Sequence, residues 1–128
     1  KIGLIDDSYD LVASEDYNAW IRISSLTDKF LYLPKKLGYY FIHSQSVSKK
    51  NTSTSFRKAT DEFLSLLNKE QRLKLNTNIK YFSARFNYLN NNYAKAKKDL
   101  FFVLKKGFFN LRLRAIYMLI MMILKNNK

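Results

Sequence analysis

The chain has 128 residues, a length that allows one domain with a modest core. It contains no cysteine and a single histidine, which excludes disulfides, thiol nucleophiles, cysteine zinc sites and any multi-histidine metal site built by this chain alone. The net charge of +13 is uneven, because residues 52–128 carry 16 Lys and Arg against 4 Asp and Glu. Such a basic half is typical of proteins that bind anionic lipid or nucleic acid, and it is equally common where lysines are simply solvated.

The first helix is predicted over residues 15–26, after an acidic loop or short helical turn in residues 1–13. Ser14 is the expected N-cap, because its hydroxyl can accept a hydrogen bond from a free N–H of the first turn. Glu15 and Asp16 follow, where the helix dipole favours negative charge. One face of this helix is formed by residues at steps of three and four, namely Tyr17, Trp20, Ile21 and Ser24.

Two short strands are predicted next, over residues 29–33 and 37–42, joined by a turn at Pro34-Lys35-Lys36. A hairpin of two strands is marginal alone and needs a surface to pack on. Residues 44–55 are almost entirely Ser, Thr, Asn, Gln and Lys. They offer little apolar surface to bury, so the sequence predicts a mobile segment here.

From Phe56 onward, apolar residues recur at steps of three and four, which predicts about four helices. Three asparagines at 90–92 interrupt the pattern, and Gly107 is a natural residue to follow a helix end. The last helix is expected from Asn110 to about Lys125. The apolar stripes are Phe56, Ala59, Phe63 and Leu66, then Leu75, Ile79, Phe82, Phe86 and Leu89, then Tyr93, Ala96, Leu100 and Val103.

Ala84, Tyr93 and Ala96 have the spacing of tetratricopeptide helix pairs. The usual glycine and proline are missing and only one copy is present, whereas a solenoid needs about three repeats to bury a continuous core. We therefore predict a single helical hairpin and not a repeat array.

Three stretches resemble the late catalytic segment of the family 2 glycosyltransferases. That family commonly reads Gly-x-Phe-Asp-Glu, then a short gap, then Glu-Asp-Tyr-Asp-Leu-Trp-x-Arg. This chain reads Gly3-Leu4-Ile5-Asp6-Asp7-Ser8 and then Ser14-Glu15-Asp16-Tyr17-Asn18-Ala19-Trp20-Ile21-Arg22. Residues 37–48 are similar to the family's Tyr-Arg-x-His block and the serine-rich loop after it. Within residues 1–51, the departures are Phe41 where the family often has Arg, and Asn18-Ala19 in place of Asp-Leu.

The resemblance implies a fold and a division of the chain. Family 2 enzymes have the GT-A fold, so residues 1–51 are expected to form a C-terminal corner of that domain, with one helix and a β-hairpin. Residues 52–128 would form a helical bundle of about four helices. The predicted class is therefore α+β, mainly α. Because the chain opens inside a motif at Lys1-Ile2-Gly3, we expect it to be a fragment that lacks the nucleotide-binding half.

The resemblance also implies site residues. The family places its general base at the second acid of the Glu-Asp pair, which is Asp16 here, with Glu15 supporting the acceptor. Trp20 stands behind the pair as packing or as a stacking surface for substrate. His43 is placed near the diphosphate or a divalent metal. From the residues alone, Glu15 and Asp16 are an ordinary acidic first turn and a lone histidine is usually structural.

The implied function is transfer of a sugar from a nucleotide-diphosphate sugar to a hydroxyl of a glycan or lipid-linked acceptor, in surface polysaccharide synthesis. The parent enzyme would use Mn or Mg. The family's Asp-x-Asp motif is missing from this chain, so we expect no metal on the fragment and no activity from it alone. An alternative is a non-catalytic helical interaction module whose acidic pair only caps a helix. A third hypothesis is a nucleic-acid binder driven by the basic half, although we expect no nucleic-acid partner.

The last helix carries ten consecutive apolar residues, from Ala115 to Leu124. A spanning helix needs about twenty, so this run is expected to pack on residues 70–106 without crossing a bilayer. Its other side would meet the missing catalytic half, a second copy of the chain, or lipid. The flanking cations suit an anionic membrane surface; they are Arg112, Arg114, Lys125 and Lys128. We accordingly expect a cytoplasmic protein that contacts the inner membrane face peripherally, and self-association of the isolated chain.

Overall fold

The computed structural model describes residues 3–41, 43, 46 and 51–126. In that part of the chain the regular structure is helical. Short 3-10 turns occur at Tyr9–Leu11 and Leu64–Leu66. The α-helices are α1 (Glu15–Ser24), α2 (Ser53–Asp61), α3 (Lys69–Leu89), α4 (Tyr93–Lys106) and α5 (Phe109–Asn126).

The helices of residues 52–128 confirm the prediction from apolar spacing, because α2 to α5 are the four helices expected there. α3 begins with a capping box in which Asn68 Oδ1 accepts from the Gln71 N–H and Gln71 Oε1 accepts from the Asn68 N–H, each at 2.9 Å. It ends at the predicted asparagines. Asn91 adopts a positive φ of 58°, a conformation that asparagine tolerates better than most residues.

α3 and α4 form the predicted helical hairpin, and α5 packs against both. Small side chains let the helices approach closely, since Ala84 of α3 and Ala96 of α4 are fully buried. One polar link crosses the hairpin: the buried Asp99 accepts from Lys80 Nζ at 2.9 Å and from Ser83 Oγ at 2.7 Å. The core of this unit consists of Ala84, Ala96, Leu100, Val103, Ala115, Met118 and Met122.

The predicted β-hairpin is wrong for the residues that the structure describes. No strand occurs among them, and residues 27–41 are irregular, without ladder pairing. Leu31 and Tyr32 are each 84% exposed. The turn Pro34-Lys35-Lys36 lacks the Gly or Asn that tight hairpin turns require, and two strands alone are marginal. The α+β class with a GT-A corner is therefore corrected to an all-helical fold in the described part of the chain. Ile42 lies outside the described residues.

The predicted mobile segment at 44–55 is only partly described. Residues 44, 45 and 47–50 lie outside the described part, whereas residues 53–55 begin α2 and contradict the prediction. Ser53 and Ser55 are buried there. Their burial is possible because their hydroxyls are bonded, Ser53 Oγ to Asn51 Oδ1 at 2.7 Å and Ser55 Oγ to the Thr52 carbonyl at 3.2 Å.

Gly107 ends α4 at a crowded position, which gives a test of the packing. A Cβ at residue 107 would collide with the Val103 carbonyl oxygen and lie 3.2 Å from Thr77 Cγ2, whereas a Cβ at Gly38 would meet nothing within 4 Å. We expect Gly107→Ala to lower the free energy of unfolding by about 1–3 kcal/mol, the range for overpacking. Gly38→Ala should change it by less than about 0.5 kcal/mol. Urea titration measures both, and equal effects would contradict the packing at Gly107.

Candidate functional site

The candidate site begins at the first turn of α1, where local hydrogen bonds organise the two acids. Glu15 Oε2 accepts from the Ser14 N–H at 2.8 Å, and Asp16 Oδ1 accepts from the Tyr17 N–H at 2.7 Å. The expectation that the Ser14 side chain caps the helix is wrong. Ser14 is buried and its hydroxyl donates to Ser55 Oγ of α2 at 3.3 Å, so it joins two helices instead.

Asp16 lies on the surface at this helix start. The ion pairs in the described part of the chain join Lys74 to Glu70 and Lys80 to Asp99, so neither of them uses Asp16. The carboxylate is therefore open to solvent on one side while a backbone N–H holds the other. A carboxylate in this position can accept a proton from a group that approaches α1 from solvent.

The next turn of α1 fixes the acids to the rest of the molecule. Asn18 is buried, and its Nδ2 donates to the Ala59 carbonyl at 3.0 Å and to Glu62 Oε1 at 2.8 Å. The ring of Tyr17 stacks on Phe56 at a centroid distance of 4.5 Å. Burial raises the pKa of the Tyr17 phenol, which favours its neutral form in this stack. Asn18 thus serves as an anchor between α1 and α2.

The end of α1 connects back to the beginning of the chain. Arg22 Nη2 donates to the Leu4 carbonyl at 3.0 Å, and a Cβ at Gly3 would lie 3.7 Å from Arg22 Nη1. Gly3 has a φ of +72°, in the region that favours glycine. In the same segment, the Ser8 N–H and hydroxyl hold the pKa of Asp6 below its usual value, and the charge of Arg22 adds to this. Two of the three stretches that carry the sequence resemblance, residues 3–8 and 14–22, are therefore in direct contact.

The other two predicted site residues differ in their position relative to the acids. Trp20 is on α1, one turn after Asp16, and 58% of its surface is exposed. His43 is in the irregular segment that follows α1, where its N–H donates to Ser46 Oγ at 2.9 Å and its ring lies 6.0 Å from that of Phe41. The structure thus places Glu15, Asp16 and Trp20 on one helix and His43 in a separate segment.

The described residues do not fit a divalent metal site. Mn and Mg take several carboxylate or other oxygen ligands. Within residues 3–41, 43, 46 and 51–126, no group of three or more His, Cys, Asp and Glu side chains could hold a metal ion. The predicted metal role of His43 therefore has no supporting ligand set in this part of the chain, and no chemical step is assigned to a metal here.

A cleft of about 260 Å³, which we call the polar cleft because most of its lining residues are polar in type, lies beside the start of α1, and sequence reasoning missed it. It is formed by the 3-10 turn before α1 and by the beginning of α2. Ser55, which contacts Ser14, is part of its wall. At the start of α2, Asn51 Oδ1 accepts from the Ser53 N–H at 3.1 Å. No pattern in the sequence indicated this cleft. The lining residues are Tyr9, Asp10, Val12, Asn51, Thr52, Thr54 and Ser55.

Comparison with protein-family models, with curated proteins and with solved structures finds no match to this chain.

Asn18 and Asp16 lie on the same helix, but Asn18 is buried and Asp16 is exposed, so their substitutions should affect stability differently. We expect Asn18→Ala to lower the free energy of unfolding by about 1–3 kcal/mol, because the Ala59 carbonyl and Glu62 lose a buried donor. Asp16→Asn should change it by less than about 0.5 kcal/mol, because that side chain is exposed. Thermal or urea unfolding monitored by circular dichroism measures both. A loss at Asp16 as large as the loss at Asn18 would make Asp16 a structural residue.

Proposed function

We propose that this chain is the C-terminal part of an inverting glycosyltransferase, with sequence resemblance to family 2, that transfers a sugar from a nucleotide-diphosphate sugar to an acceptor hydroxyl. Asp16 is the general base and Glu15 supports the acceptor. The observation that carries this proposal is the contact between Arg22 Nη2 and the Leu4 carbonyl at 3.0 Å. It joins two of the three sequence stretches on which the resemblance rests, residues 3–8 and 14–22, into one unit that presents Asp16 to solvent.

The chemistry requires a base, a nucleophile and a leaving group. The acceptor oxygen attacks the anomeric carbon, its proton passes to the carboxylate of Asp16, and the bond from that carbon to the nucleoside diphosphate breaks. The base must be accessible and held in place. Asp16 is exposed, and the Asn18 amide anchors its helix to α2 through Ala59 and Glu62. The first turn of a helix also favours the negative charge that the reacting carboxylate carries before proton transfer.

The polar cleft offers the groups that recognise sugars. Tyr9 is 91% exposed and can stack on a sugar ring, while Asp10, Asn51 and Thr52 supply a carboxylate, an amide and a hydroxyl for sugar hydroxyl groups. The contact between Ser14 and Ser55 places this cleft next to the acidic turn. We assign the cleft to the acceptor. Donor binding, together with the Mn or Mg that family 2 enzymes use, is assigned to a part of the protein outside this chain.

A second candidate function is a helical interaction module without catalysis. It is favoured by the hydrogen bond from the Ser14 N–H to Glu15 Oε2, which is what an acid does when it only caps a helix start. It is also favoured by the exposed apolar side chains away from the acidic turn and the polar cleft, because exposed apolar surface is typical of protein-binding sites. If this candidate is correct, replacing Asp16 should affect the function no more than replacing another exposed acid.

Asp16 and Asp28 provide a matched pair for the test, because both are exposed acids and both changes to Asn remove one negative charge. In the full-length protein, we expect Asp16→Asn to lower turnover by about 10²- to 10⁴-fold, the contribution of a general base, and Asp28→Asn to leave it unchanged. Release of nucleoside diphosphate from a panel of nucleotide sugars measures turnover. Equal turnover of the two variants would remove Asp16 from the mechanism and favour the interaction module.

A further inference from the structure

The outer face of α5 is apolar and exposed. The opposite face packs into the core through Ala115, Met118 and Met122. Steps of three and four along the helix place the exposed residues in one stripe, which we call the α5 stripe. Each of its side chains is between 44% and 64% exposed: Leu113, Ile116, Tyr117, Ile120, Ile123 and Leu124.

Cations lie along both edges of the α5 stripe. On the α4 side, Arg112 Nη2 donates to the Lys105 carbonyl at 3.5 Å. On the α3 side, Lys125 Nζ lies 5.1 Å from the centre of the Tyr88 ring. An apolar strip bordered by Lys and Arg is the arrangement of helices that lie in the plane of an anionic membrane surface.

A cleft of about 430 Å³ between α3 and α5 adjoins the stripe and is also basic. Arg85 of α3 and Arg114 of α5 both line it, as do the aromatic side chains of Tyr81, Tyr88 and Tyr117. Guanidinium groups can bind phosphate oxygens in a bidentate way, and most of the cleft wall is apolar. Leu113 and Tyr117 belong to both the cleft and the stripe, so one ligand surface can engage both.

We propose that the α5 stripe and the Arg85–Arg114 cleft bind the surface of an anionic phospholipid bilayer. The apolar residues enter the interface, and the two arginines bind lipid phosphate groups. The positive charge of the chain favours an anionic lipid surface over a second copy of the chain as the ligand. A second copy of the chain also carries +13, and pairing two α5 stripes would bring Arg112, Arg114 and Lys125 of one copy toward those of the other. In the part of the chain that the structure describes, none of the helices meets the length and hydropathy of a membrane span.

The test is co-sedimentation of the full chain with sucrose-loaded vesicles of phosphatidylglycerol and phosphatidylcholine, against vesicles of phosphatidylcholine alone. We expect binding to the anionic vesicles that weakens between low and high salt. Arg85→Gln with Arg114→Gln should lower the partition coefficient about 30-fold, since each cation near the surface contributes about fivefold. Ile116→Ser with Ile120→Ser should lower it about tenfold or more at constant charge.

The control replaces Lys97 and Lys98, two exposed lysines of α4 that do not line the cleft, with Gln. It removes the same charge as the arginine pair. Equal losses from both pairs would overturn the proposed site, because they would indicate attraction by net charge alone. Absence of binding to anionic vesicles would overturn it too. So would sedimentation of the chain as a dimer that the isoleucine pair converts to a monomer, since the stripe would then bind a second copy. Circular dichroism of each variant checks that the helices remain.

Discussion

Three aromatic rings connect the two halves of this chain, and the candidate site depends on them. Tyr17 of α1 stacks on Phe56 of α2 at 4.5 Å, and Phe56 meets Phe82 of α3 edge-on at 5.1 Å. Both arrangements are favourable for aromatic quadrupoles. Tyr17 immediately follows Asp16, so the position of the exposed acid is set by a contact that extends into the longest helix. Without this series of rings, α1 would be joined to the helical unit mainly by polar contacts of Ser14 and Asn18.

The periodicity of apolar residues predicted the second half of the chain well. Core residues of α4 such as Leu100 and Val103 lie on the expected face, and the asparagine break and Gly107 mark the expected helix ends. For α4, local pattern and tertiary packing agree, because its stripe faces the core of the α3–α5 unit. The predicted α3 stripe agrees less well, because Phe82 contacts Phe56 of α2 and Leu89 is 61% exposed. Of the two fully buried alanines, Ala96 was part of a predicted apolar stripe, whereas Ala84 was marked only by a spacing typical of a helix pair.

Prediction failed where the outcome depends on partners that are distant along the chain. A run such as Phe30 to Leu33 has high strand propensity, but a strand forms only where another strand completes its hydrogen bonds. Ser14 has the right type for a cap, yet its hydroxyl bonds to Ser55, which lies 41 residues later. The buried amide of Asn18 and the polar cleft likewise depend on α2, and no local pattern indicated that α2 would begin inside a serine- and threonine-rich tract. Asp16 at the helix start was predictable from its neighbours; its surroundings were not.

The single tryptophan of the chain has a practical consequence. Trp20 is on α1, one turn from Asp16, and is more than half exposed, so its emission reports solvent polarity at that helix and nowhere else. Selective excitation of the indole separates this signal from the emission of the nine tyrosines. Several of those tyrosines line the α3–α5 cleft, so their emission would report on another part of the molecule. The protein therefore carries an intrinsic optical probe at the acidic turn. A change in its emission maximum or in its quenching by iodide reports on α1 without any label.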